Sequence, residues 1–237
     1  MELLLKTETN NSINNIIPEL IKYGFEFEYN YLITSSPKLS LEKLFISHNK
    51  SFSLGKACKL ILDSLLALET LHKNNIIHRD INPKVFALDK KGKIKFISLG
   101  FWKYYKNKKG HIEFKIHKHM IGKNIIFGSL NNLIGFELSR RDDLQSLSYM
   151  LIYFIKGSLP WDDLNIKKNE DKIKKILEMK QNIKEEYLTE GLPEEIKLFI
   201  SYCKKLKFEE EPNYDYLKIL LKKIINIKDS FINFYFN

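Results

Sequence analysis

The residues best placed to do chemistry lie in one stretch, "IIHRDINPKVF", from Ile76 to Phe86. Asp80 follows His78 and Arg79 in a polar loop between two apolar runs, where a carboxylate can accept a proton from a hydroxyl that becomes a nucleophile. Two residues on stands Asn82, and five on stands Val85. Further along, "KIKFISLGF" ends its apolar run on Ser98, Leu99 and Gly100. Asp80 is the one carboxylate in these two stretches.

The elements around this loop follow from periodicity. "IPELIKYGFEFEYNYLITS", Ile17 to Ser35, alternates and is rich in Tyr, Phe and Ile around Gly24, which predicts two short strands. Past Pro37 the spacing becomes helical, with a short helix near Ser40 to His48 and a long one from about Ser53 to Asn74. "VFALD" and "KIKFISL" read as strands split by the turn-prone Lys90-Lys91-Gly92, and Trp102 to Lys123 reads as a lysine-rich loop. Helices are predicted at about Arg141 to Ile155, Ile166 to Gln181, Pro193 to Lys205 and Tyr214 to Ile227, with Trp161, Tyr214, Tyr216 and Leu217 as core.

Composition narrows the class. The 237 residues are 44% hydrophobic and 29% charged, enough for a packed core. Of 39 basic residues only Arg79, Arg140 and Arg141 are arginine, leaving 36 lysines in the net charge of +10. Readers of nucleic acid favour the bidentate fork of arginine, so a basic nucleic-acid-binding module is the third-ranked expectation and nucleic acid is not the expected partner. Cys58 and Cys203 stand alone, which fits a reducing interior, and no run of 18 apolar residues suggests a membrane span. The expected location is intracellular, in cytoplasm or nucleus. His111, His117 and His119 lack a partner at zinc-ligand spacing, so no metal is expected there.

Taken together with "SRRDDLQSLSYMLIYFIKGSLPW" (Ser139 to Trp161) and "GLPEEIKLFISYCKKLKFEEEPNYDYLKILLKKI" (Gly191 to Ile224), the loop resembles the casein kinase I family of serine/threonine protein kinases. Poxviral and vaccinia-related kinase-like proteins are a second, poorer fit. The resemblance spans roughly Ile16 to Phe236 and implies an α+β protein-kinase-like fold. Residues 1–37 would be the remnant of a truncated strand lobe, and 38–237 a mainly helical large lobe. No G-x-G-x-x-G occurs in these residues, and Lys6 and Glu2 do not both fit as the lysine and glutamate of a small lobe.

What the resemblance implies for the site is a base at Asp80, a lysine at the position of Asn82 that would touch the transferring phosphate, and magnesium ligands at the positions of Val85 and Ser98. His78, Arg79 and Asp143 would support the loop, Asp143 by accepting hydrogen bonds from its backbone. Lys84 is displaced by two positions from the missing lysine. Losing one preorganised charge stabiliser typically costs ~10²–10³ in rate, and three losses, even strongly non-additive, suggest on the order of 10⁵. The expectation is a pseudokinase with Asp80 idle and no cofactor, acting through a protein partner such as a kinase or a kinase substrate. The alternative is a divergent active serine/threonine kinase using ATP and magnesium.

Overall fold

A computed structural model describes residues 11–35, 39–121 and 124–235, with side chains over 12–226. Glu2, Lys6, Pro37, Lys123 and Phe236 lie outside the described residues. A short helix α1 (Asn11–Asn14) precedes the antiparallel hairpin of β1 (Leu20–Glu26) and β2 (Tyr29–Thr34). The chain reverses at Phe27 and Glu28, with Phe27 at a φ of 54°, and not at Gly24. Gly24 sits inside β1 opposite Tyr31, whose hydroxyl would lie 2.5 Å from any added Cβ. Its role is to let that ring fold across the strand.

A three-stranded antiparallel sheet then carries the loop of interest, in the order β3 (Leu39–Ser40), β5 (Phe86–Leu88), β6 (Ile94–Phe96). Ser40 caps α2 (Leu41–Ser47), and Ser53 caps α3 (Leu54–Lys73), each side chain accepting from the backbone three residues on, which satisfies a donor that the first helical turn leaves orphaned. One face of α3, including Ala57, Cys58, Ile61, Leu65, Leu68 and Leu71, is sealed from water at helical spacing.

The stretch from Trp102 to Lys123, expected as loop, contains β7 (Lys103–Tyr104), β8 (Lys106–Asn107) and β9 (Gly110–His111). β7 pairs with β4 (Ile76–Ile77), a partner far off in the sequence, and a two-residue strand is too short to display a period. The remainder is helical: α4 (Leu130–Leu133), α5 (Arg140–Lys156), α6 (Asn169–Asn182), α7 (Glu185–Leu188), α8 (Glu194–Lys205) and α9 (Tyr214–Tyr235). α6 starts three residues later than the periodicity from Ile166 predicts.

Every residue of α5 from Asp142 to Phe154 is buried, which makes it the axis of the helical part, with α3 and α8 packed against it. It begins where Asp142 accepts from the backbone of Ser139 at 2.8 Å and ends at Gly157, whose φ of 87° lets the chain turn away. Trp161, Tyr214 and Leu217 belong to the core. Tyr216 does not: it is half-buried, resting on the core and against Tyr202. Cys58 and Cys203 are buried free thiols. Among the described residues no helix is long and apolar enough to cross a membrane.

Candidate functional site

The loop between β4 and β5 is held from below by α5. Asp143, in its first turn, accepts from the backbone N–H of His78 at 2.7 Å and of Arg79 at 2.8 Å, and from Nε2 of His72 at 3.0 Å. Burial alone would raise the carboxyl of Asp143. The hydrogen bonds it accepts from the ring of His72 and the backbone of His78 outweigh it and hold the carboxyl below the usual range. His72 is itself fully buried, which depresses its pKa, and its Nδ1 meets the hydroxyl of Tyr214 at 2.6 Å. A neutral imidazole donating to Asp143 and accepting from Tyr214 satisfies all three groups.

His78 packs on Phe96 and Trp102, and its Nδ1 accepts the backbone N–H of Asp80 at 3.2 Å. Burial pushes its pKa down to about 4, so the ring is neutral. Arg79 has a left-handed φ of 70°, uncommon for a residue with a side chain, and its Nε donates to the carbonyl of Phe101 at 2.6 Å. The two backbone bonds to Asp143 offset that strain and fix where the next residue, Asp80, projects.

Asp80 opens into a cleft of about 610 Å³ whose walls include Glu42, Asn82, Phe101, Asn124, Phe127 and Asp162. Burial raises its carboxyl to about 6, against the lowering effect of side-chain hydrogen bonds from Asn124 and Asn82. A carboxylate with that affinity is suited to exchange protons near neutrality. Asn82 also donates to the carbonyl of Asp80 at 2.9 Å and accepts from the backbone of Lys84 at 2.9 Å, so it shapes the turn. Lys84 is exposed on the same cleft, beside Glu42.

Val85 does something different. It is 3% exposed and lies in the core cluster, while its carbonyl accepts from Ile97 at 2.8 Å. Ser98 follows β6 half-buried, and Leu99 packs on the core beside it. The residues at the two positions where the resemblance puts magnesium ligands therefore do not fit a divalent cation: one offers only methyl groups pointed into the core, the other a single neutral hydroxyl. Among the described residues no group of three or more His, Cys, Asp or Glu side chains is placed to hold a metal ion.

Residues 5–220 match the family model of the protein kinase domain. The chain belongs to the protein kinase family. Its kinase domain combines a small N-terminal sheet with a helical C-terminal part.

Three residues that shape the site carry no local sequence signal. Asn124 donates to the carbonyl of Ile81 at 2.9 Å and accepts from Phe127, joining the segment before α4 to the Asp80 loop. Lys180 of α6 is 1% exposed; its ammonium donates to the carbonyls of Ile125, Ile126 and Gly128 at 3.1, 2.9 and 2.6 Å and lies over the rings of Tyr149 and Trp161. Among the described residues no carboxylate pairs with it, and desolvation lowers its pKa well below that of a free lysine. Glu137 is 2% exposed in its side chain and binds Lys103 and His117, each at 3.0 Å. Of the three histidines in the Trp102–Lys123 stretch, His117 is thus tied to Glu137, while His111 stacks on Tyr105 and Phe208.

Proposed function

We propose that this member of the protein kinase family is a casein kinase I-like pseudokinase, working in cytoplasm or nucleus by binding another protein such as an active kinase or its substrate. The observation that carries the reading is Val85, a buried core residue at the position where the resemblance calls for a metal-holding asparagine. Ser98 in place of a metal-binding carboxylate, and Asn82 in place of a phosphate-binding lysine, point the same way. Phosphoryl transfer depends on positioning and charge neutralisation, so a chain that lacks both metal ligands loses the main source of rate acceleration. What remains intact, the Asp143 network and the α5 core, is what keeps the shape.

One observation favours the second reading, a divergent active serine/threonine kinase. Asp80 keeps a half-buried position, a pKa near neutrality and two amide side chains around it. The two readings part on Asp80→Asn. For a protein that works by binding, the variant keeps its effect in cells and melts no lower than the wild type. A variant that folds normally yet loses all cellular effect would establish Asp80 as a working base and overturn the pseudokinase reading.

A further inference from the structure

The hairpin of β1 and β2 stands open to solvent. None of its thirteen strand residues is buried. Tyr23, Phe25, Phe27 and Tyr29 are 44%, 68%, 87% and 76% exposed, and Ile21, Leu32 and Ile33 are exposed as well. At ~200 Å² for an aromatic side chain, the four aromatics alone show roughly 550 Å² to water. Tyr23 and Phe25 stand on β1 itself, at the edge a second strand would meet, while Tyr29, Leu32 and Ile33 belong to β2, one strand away. Isolated two-stranded hairpins are marginal in water, and a long apolar edge is a template for another strand. Among the described residues β1 pairs only with β2, so its outer edge has no neighbour.

The order of residues along that edge says what fits it. From Ile21 to Phe27 the strand and its turn read Ile-Lys-Tyr-Gly-Phe-Glu-Phe. The pattern is symmetric about Gly24 in size and apolarity, and antisymmetric in charge. If two copies of β1 run antiparallel with Gly24 facing Gly24, Tyr23 of each stands opposite Phe25 of the other. Lys22 of each stands opposite Glu26 of the other. Directly opposed residues of an antiparallel pair share a face, so the aromatic pairs gather on one side of the new sheet and both ion pairs on the other. Lys22 and Glu26 are exposed and have no ion-pair partner among the described residues.

We propose that β1 is a self-complementary docking edge and that two copies of this chain join through it, Lys22 to Glu26 twice about a two-fold axis at Gly24, forming a four-stranded sheet. The pairing is isologous and closes at two. It uses no residue of the Asp80 cleft and is independent of whether the domain transfers phosphate.

The charge pattern provides the test, by sedimentation velocity on the full 237-residue chain from about 1 to about 100 μM. The wild type forms a reversible dimer. Lys22→Glu leaves four glutamates at the seam and Glu26→Lys leaves four lysines, so each variant alone dimerises about tenfold more weakly or worse. An equal mixture of the two variants restores tight pairing: the introduced glutamate of one chain faces the introduced lysine of the other, and the unchanged Glu26 and Lys22 face each other. The double variant Lys22→Glu, Glu26→Lys also pairs like the wild type, which guards against a folding defect in either single change. A wild type that stays monomeric across the range overturns the proposal. So do single variants as tight as the wild type, a mixture or double variant that fails to recover, and assembly that grows beyond the dimer.

Discussion

Replacing Asp143 by alanine tests how the kinase domain holds its loop. The carboxylate accepts three buried hydrogen bonds, from the backbone of His78 and Arg79 and from the ring of His72. Each donor left unsatisfied costs ~1–3 kcal/mol, and because one relaxation serves all three, a total of roughly 3–5 kcal/mol is the consistent figure for breaking such a buried charged cluster. Arg79 adds to this, since its left-handed φ of 70° has no other main-chain tie within the loop. At ~2–4 °C per kcal/mol for a domain of this size, the midpoint of thermal unfolding falls by roughly 6–20 °C. Circular dichroism melts at neutral pH measure this, and hydrogen exchange at the amides of His78 and Arg79 locates it. Asp143→Asn, which keeps one acceptor oxygen, falls between alanine and wild type. An Asp143→Ala protein melting within about 2 °C of the wild type, with those two amides still protected, would refute the reasoning.

Asp80→Asn stabilises the protein at neutral pH. The native carboxyl titrates at about 6, above its ordinary 3.8, so the native state holds that proton more tightly than the unfolded chain. The wild type therefore loses stability as pH rises from about 4 to about 6, and the asparagine variant is spared that loss. Discounted for the half-exposed position, the gain is about 1 kcal/mol above pH 6 and vanishes below pH 4; paired melts across that range check it, with His78 common to both proteins. Lys180→Met leaves the carbonyls of Ile125 and Gly128 without their side-chain donor, while Trp161 still serves Ile126. Faster hydrogen exchange at the amides of Phe127 and Gly128, which depend on Asn124, is the expected result, with α8 unaffected.

How far the sequence reaches follows from where each signal sits. The β1–β2 strands and α3 declare themselves because one period governs a whole segment, α5 is read from its start and stop signals, and the position of Asp143 is readable because the Arg-Arg-Asp-Asp-Leu run travels with the His78 loop. Lys180 is illegible: in "ILEMKQN" it looks like any solvated helical lysine, and only the fold brings three carbonyls and two rings to it. Asn124 and His72 act on partners 43 and 71 residues away, where no local pattern reaches. The turn of the first hairpin escapes the sequence for a related reason. Gly24 serves the ring of Tyr31 across the strand, while the reversal uses Phe27, a residue type that local turn rules exclude.

The central claim is that Val85 and Ser98 leave no seat for a nucleotide-bound magnesium ion, and the most direct test is thermal unfolding with ATP, with and without magnesium. A ligand at 100 times its dissociation constant adds ~2.7 kcal/mol to stability, about 5–11 °C for a domain of this size. The account predicts that magnesium adds nothing to whatever ATP does alone. A rise in the midpoint that appears only when ATP and magnesium are present together would contradict it.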